Sequence, residues 1–209
     1  MRALVEPLKE GMVTKEEDRM RYYDIILREV MRLSRLINDQ LELSRLQSGG
    51  VAIQKQKMSL DDLIYDVCDR YNSIAEEHGL KMNIESDLDG CPTVYANPDR
   101  VEQMLIILLD NAIKYTEAGS VGVKVGWDDE KVTVTVRDTG IGIASEDLPY
   151  VFDRFYKVDK AHSGKGSGLG LSIAKELLNR MNEDIWVESK KGEGTAFSFT
   201  IHREAPVEE

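Results

Sequence analysis

The sequence is poor in cysteine: two in 209 residues, Cys68 and Cys91, at no spacing that suits a metal site. A disulfide framework and a thiolate metal centre are excluded on that count, and a reducing compartment is the simpler setting. A long hydrophobic run is also missing. The longest, Met104 to Leu109, falls far short of the roughly 20 apolar residues that cross a bilayer. No signal-peptide pattern opens the chain. Positive charge is in deficit, with 27 Lys and Arg against 38 Asp and Glu, a net charge of −11. Bulk attraction to nucleic acid or to an anionic membrane is thereby excluded, although a local group of cations still suffices to grip a phosphate. Histidine is scarce too: only His78, His162 and His202.

What remains has ordinary means for a core. Apolar residues make up 42% and charged residues 31%, over a length that holds one full domain and a smaller appendage. The most informative stretch runs from Val132 to Gly142. Val132, Val134 and Val136 alternate with Thr133, Thr135 and Arg137, the period of a half-buried strand. The strand ends in Asp138-Thr139-Gly140-Ile141-Gly142. Two glycines there let the backbone approach a flat ligand, while Asp138 accepts from an amino group. Alone, this motif describes an ordinary strand-to-loop turn equally well. Three others flank it in order: Asp110-Asn111-Ala112-Ile113-Lys114-Tyr115, Gly166-Ser167-Gly168-Leu169-Gly170-Leu171 and Gly192-Glu193-Gly194-Thr195. The ordered set points to a ligand site.

Residues 1–50 read as a partial helical hairpin. A Thr14/Glu17 capping box opens a helix of about nine turns, in which Tyr22, Ile26, Val30, Leu33, Ile37 and Ser44, with Gln40, recur at steps of three and four. A single narrow stripe of this kind needs a helical partner. Residues 1–13 supply the tail of an antiparallel neighbour, and Ser48-Gly49-Gly50 the stop. Residues 51–209 form the second unit. Residues 53–58 read as an edge strand, and Ser59 to Asp62 as a second capping box opening a helix that closes at His78-Gly79. Strands follow at 80–84 and 93–96. Asn97-Pro98 then starts the most apolar helix, which runs to about Tyr115. Val121 to Trp127 faces Val132 to Val136 as a hairpin. Residues 145–153 read as a short helix, 154–167 as a mobile polar loop, 168–181 as a helix, 185–188 and 196–201 as strands, and 204–209 as a frayed acidic tail. Strands and helices do not alternate strictly, so the class is α+β: a mixed sheet with helices on one face.

Asn111, Lys114 and Tyr115 fall within about one helical turn, so all three can face one cleft. An amide oxygen is a hard ligand suited to Mg²⁺, Lys114 is a point charge for a phosphate, and Tyr115 offers a ring to a base or ribose. Arg154, Lys157, Lys160 and Lys165 make the 154–167 loop locally basic, with Arg154 and Lys157 the chief phosphate candidates. Gly166, Gly168 and Gly170 directly precede a helix, so bare N–H groups and the helix dipole can point at an anion. Phe152 and Phe155 read as mostly core.

In order and spacing, these motifs resemble the nucleotide-binding domain of sensor histidine kinases, in the ATP-binding superfamily shared with gyrase and MutL. Phe152 to Tyr156 resembles the family's phenylalanine box, and the long first helix, ending Leu43-Ser44-Arg45-Leu46, resembles its dimerisation bundle. The resemblance implies a Bergerat-type ATP-binding sandwich preceded by a partial hairpin, with ATP and Mg²⁺ as cofactors. It implies Asn111 as the metal ligand, Asn111 and Lys114 as the catalytic pair and Asp138 as the adenine partner. Further nucleotide contacts are implied from Lys114, Tyr115, Gly140, Gly142, Arg154, Lys157, Gly166, Gly168, Leu169, Gly170 and Thr195. The implied activity is that of a protein-histidine kinase, moving the γ-phosphoryl of ATP to a histidine and then to an aspartate of a response-regulator receiver domain. Also implied are a homodimer through the hairpin, a cytoplasmic setting, and membrane attachment only through a parent protein's N-terminal region.

Three departures qualify that expectation. The family's acceptor histidine sits in a His-Glu-x-x-x-Pro-Leu-like motif, whereas Arg2 stands in its place before Pro7-Leu8. Aligning Val5-Glu6 and Gly11 with the end of that helix puts the acceptor before Met1, so a fragment cut inside its dimerisation helices and unable to phosphorylate itself is expected. Ile107 replaces an asparagine that the family usually has one turn before Asn111, and Asn182-Glu183 replaces a glycine pair. Ile107 favours an alternative, a catalytically inactive nucleotide-binding signalling module. It counts against a gyrase- or MutL-type ATP hydrolase, whose glutamate base would stand at that position.

Overall fold

The computed structural model describes residues 2–49, 52–86, 88–158 and 167–203. Gly166, with Lys160, His162, Lys165 and the 204–209 tail, lies outside the described residues. Two helices, α1 (Arg2–Lys9) and α2 (Glu16–Gln47), lead into β1 (Gln56–Met58), α3 (Leu60–Glu77), β2 (Leu80–Ile84) and β3 (Val94–Ala96). Then come α4 (Pro98–Tyr115), β4 (Gly119–Trp127), β5 (Lys131–Asp138), α5 (Gly170–Met181), β6 (Ile185–Lys190) and β7 (Gly194–His202). No helix among the described residues is long and apolar enough to cross a membrane.

Valine alternation places β4 and β5 at the centre of a five-stranded sheet of order β2-β4-β5-β7-β6. The β2–β4 pair is parallel and the others antiparallel, so the sheet is mixed and the fold α+β as expected. One face carries Val123, Val134, Val136, Phe197 and Phe199, packed in a single core with Ile64 and Val67 of α3, Met104 and Leu108 of α4, and Ile173 and Leu177 of α5. The opposite face carries Lys124, Arg137, Trp186 and Glu188, all exposed. The β4–β5 turn closes on Asp128, whose Oδ1 accepts from the N–H groups of Glu130 and Lys131 at 2.9 and 2.8 Å. The short β1–β3 pair forms a separate ladder beside the sheet.

Helix ends show where local signals hold. Asn97 caps α4 as expected, its side chain accepting from the Arg100 N–H at 3.1 Å with Pro98 in the first turn. Neither capping box forms. Lys15, not Thr14, stands at the N-cap of α2 without a side-chain bond. Ser59 occupies the N-cap of α3 but donates its hydroxyl to the Asp61 carboxylate. The helix expected at 145–153 shortens to a 3-10 turn at Leu148–Tyr150. Pro149 has no N–H to extend the ladder back toward Ser145.

The main difference concerns α2. Its shielded face is the series Tyr22, Ile25, Glu29, Arg32, Leu36, Asp39, Leu43 and Leu46, in which Leu43 and Leu46 are buried in the core and the others half-buried. The stripe expected from sequence turns outward beyond Ile26: Val30, Leu33 and Ile37 are 46%, 45% and 59% exposed. Both series have helical spacing and share Tyr22. The shielded series carries more charge but ends in the core at Leu43 and Leu46, and Glu42 beside them has polar partners. Glu42 accepts from Arg100 at 2.8 Å and from Gln103 at 3.0 Å on both oxygens, which ties the end of α2 to α4.

Candidate functional site

The C-terminal ends of α4 and β5 meet, and the meeting is stitched by backbone. Ile141 donates its N–H to the Tyr115 carbonyl at 3.1 Å, and Thr139 donates to Ser120 at 3.1 Å. Glycines make this closeness sterically feasible. A Cβ on Gly140 would stand 2.2 Å from the Tyr115 carbonyl oxygen, and one on Gly142, at φ +64°, 2.1 Å from the Lys190 carbonyl oxygen. The Gly192–Thr195 turn closes the other side: Gly192 donates to Ile141 at 2.7 Å, and Ser189 joins Ile143, Gly194 and Thr195 through its hydroxyl.

Asp138 lies at the bottom, 6% exposed. Its Oδ1 accepts from the N–H groups of Gly140 at 2.9 Å and Thr195 at 3.2 Å. Burial pushes its carboxyl above the usual range, and those two bonds pull the other way. Both anchors fall on one oxygen, so the side chain is fixed while Oδ2 stays open to a ligand donor. Asn111 is oriented in the same manner. Its Nδ2 donates to the Ile107 carbonyl at 3.0 Å, which turns the amide oxygen away from the helix backbone. Lys114 donates to the Tyr115 hydroxyl at 2.7 Å and sits 4.3 Å from that ring's centre, so the two act as one cationic, aromatic unit.

The third motif approaches from α5. Gly168 has φ +77°, and a Cβ there would press on Phe155 backbone at 3.0 Å; its carbonyl accepts from the Phe155 N–H at 2.8 Å. A Cβ on Gly170 would touch Ile107 Cγ2 at 3.4 Å, so Ile107 borders the glycine-rich start of α5 one turn before Asn111. Lys157 is half-buried, and its ammonium is pushed below its ordinary value, first by burial and then by the charges of Lys114 and Arg32. The charges of Lys114 on α4 and of Arg32 on α2 thus both act on Lys157.

Three expectations change. Leu169 is a core side chain with no exposure, and its N–H donates to Ser167 Oγ at 3.1 Å, so packing is its visible role. Arg154 is exposed on the turn before Phe155, and no contact among the described residues joins it to the Asp138 group. Phe155 is 60% exposed at φ +62°, whereas Phe152 packs edge-on against Phe197 with centroids 6.1 Å apart. Sequence reasoning missed Arg32 and Ser189. Arg32 was legible as a member of the second stripe on α2, but no local signal marked Ser189.

The family model of histidine kinase-, DNA gyrase B- and HSP90-like ATPases matches residues 96–205. Sensor histidine kinase WalK of Bacillus subtilis (strain 168) is 34% identical over 206 residues, which cover 96% of this chain and 33% of WalK. The chain thus spans about a third of that relative's length. Among solved structures, full-length ShkA in complex with AMPPNP superposes with a TM-score of 0.75 at 30% identity, covering 89% of this chain and 40% of ShkA. Histidine kinase ThkA, in complex with response regulator protein TrrA, gives a TM-score of 0.79 at 24% identity over 97% of this chain and 57% of ThkA, a likeness of fold. This chain belongs to the histidine kinase-, DNA gyrase B- and HSP90-like ATPase family and carries an ATP-binding catalytic domain of the sensor-histidine-kinase kind.

Proposed function

We propose that this domain presents the γ-phosphoryl of Mg·ATP to a histidine, from which it passes to an aspartate of a response-regulator receiver domain. The observation that carries the reading is the half-anchored Asp138. A buried carboxylate with one oxygen tied and the other open, in a glycine-lined cradle, suits the exocyclic amino group of adenine. Gly140 and Gly142 keep the walls close, Tyr115 lies beside base or ribose, and Lys114, Lys157 and the Gly168–Gly170 backbone neutralise the phosphates. The Asn111 amide oxygen fits Mg²⁺, an ion that takes one or two protein oxygens and keeps several waters, so Ile107 beside it is no obstacle. When bound, the metal supplies charge neutralisation at the phosphates.

No histidine lies in α1 or α2, so the acceptor comes from a segment outside these helices. The outward stripe of Val30, Leu33 and Ile37 is suited to pairing α2 with a second copy as a homodimer. A rival reading, a nucleotide-binding module that does not transfer phosphate, draws on Ile107. One experiment separates the two: γ-labelled ATP is incubated with this chain and a helical hairpin bearing the acceptor histidine. Acid-labile label on the hairpin is expected. Bound Mg·ADP by calorimetry with no label transferred would favour the inactive module, and no nucleotide binding would overturn both readings.

A further inference from the structure

Arg32 lies on the shielded face of α2, in the series continued by Leu36, Asp39, Leu43 and Leu46, and α2 packs on α5. The helix cannot slide freely there, because Leu43 and Leu46 are in the core and Glu42 is held by Arg100 and Gln103. Arg32 stands ten residues before Glu42, roughly 15 Å along the axis, and so comes to a fixed place. There its Nε is buried and is, among the described residues, the one buried side-chain donor without an acceptor. Its ion pair with Glu29 is long, 3.5 Å through Nη1, and leaves Nε unused. Its charge bears on Lys157 together with that of Lys114. Cations on α2, on α4 and in the segment after Phe155 thus bear on one another here, in a protein whose net charge is −11. Like charges repel at such a point, and a buried donor without a partner is costly; an anion between them relieves both.

We propose that Arg32 is a phosphate-binding residue, reaching from α2 beside Lys114 and Lys157 to the terminal phosphate of the bound nucleoside triphosphate. The inference rests on the nucleotide reading of the Asp138 site and adds α2 to it. By linkage, a triphosphate held partly by α2 also holds α2 against the domain, whereas the diphosphate leaves that contact unmade. With α2 already anchored by Leu43, Leu46 and Glu42, the contact reads out as a preference for the triphosphate over the diphosphate.

Calorimetric titration of the whole chain with Mg·ATP and with Mg·ADP tests this. Arg32→Gln is expected to weaken Mg·ATP about fivefold while moving Mg·ADP by less than about twofold. Glu29→Gln, which removes the competing carboxylate and keeps the helix, should shift the ATP-to-ADP preference the opposite way. Arg32→Gln changing both nucleotides alike, or neither, overturns the role of Arg32 even where Asp138→Asn still weakens both. A wild-type chain that binds neither nucleotide overturns the site reading itself.

Discussion

Strand β7 has a buried carboxylate at each end, and the two are satisfied differently. At its start, Thr195 and Gly140 both donate to Oδ1 of Asp138, and among the described residues nothing donates to Oδ2. At its end the side chain of Glu183 has no exposure at all. Its Oε1 accepts from the His202 N–H at 2.9 Å and from His202 Nδ1 at 2.8 Å, and its Oε2 from the Thr200 hydroxyl at 3.1 Å. Burial is common to the two; the number of donors on each oxygen is what differs. Glu183 is closed on itself and pins β7 to the turn after α5. Asp138 has both of its donors on Oδ1, beside a turn built with glycines.

Breaking the closed end has the larger effect. Glu183→Ala strands three donors, and a loss of roughly 2–4 kcal/mol of unfolding free energy is expected in urea titration. The Mg·ADP affinity of the protein that stays folded should not change, since the defect lies at the far end of the strand. A parallel loss of affinity would mean that the two ends are coupled through β7. The walls of the open end come next. Gly142→Ala meets the Lys190 carbonyl at 2.1 Å with φ +64°, and backbone cannot rotate away, so about 2–3 kcal/mol and most nucleotide binding should go together. Gly126→Ala on the same sheet, with nothing within 4 Å, serves as the neutral control.

The two ends were not equally legible. The open end announced itself, because a cradle that admits a ligand needs glycine at fixed places next to one acid, and Asp138-x-Gly140-x-Gly142 is visible in any reading. Glu183 stood out only as half of a replaced glycine pair. Its partners Thr200 and His202 lie across a strand turn, and no local pattern joins them. The course of α2 was half legible for a similar reason. Helical spacing shows that a face exists, but Arg100 and Gln103, more than fifty residues away, decide that the face with Glu42 docks. Both expected capping boxes failed because a side chain near a helix start has several acceptors to choose from, and Ser59 chose Asp61.

Asp138→Asn sharpens the comparison from the other side. Asparagine keeps an oxygen for Gly140 and Thr195 but presents an amide where adenine offers its own donor. Affinity for Mg·ADP should fall by about 1–3 kcal/mol in calorimetry with little loss of fold. Equal affinity in both proteins would remove adenine from this position.

The smallest effect is one of pH, and its sign is diagnostic. Burial raises the Asp138 carboxyl above its unfolded value, so between those two pKa values the folded chain holds a proton that the unfolded chain has released. Stability from this group is therefore fully present below the unfolded pKa and is lost as pH rises through the folded one. Asp128 behaves oppositely: its bonds from Lys131 and Glu130 hold its carboxyl low, and its contribution is lost as pH falls. Nucleotide binding through Asp138 follows the opposite course to its stability term, because a protonated Oδ2 no longer accepts from adenine. Lowering pH from neutrality toward the carboxylate range should thus weaken Mg·ADP binding before the fold suffers. In the ligand-free protein, the stability of Asp138→Asn relative to the wild type should be greatest at neutral pH and decline as the medium is acidified. Urea titrations of both proteins across that range measure the difference directly. A difference that grows on acidification would mean that the hydrogen bonds from Gly140 and Thr195 outweigh burial, and that Asp138 is held in its ionised form as firmly as a structural carboxylate.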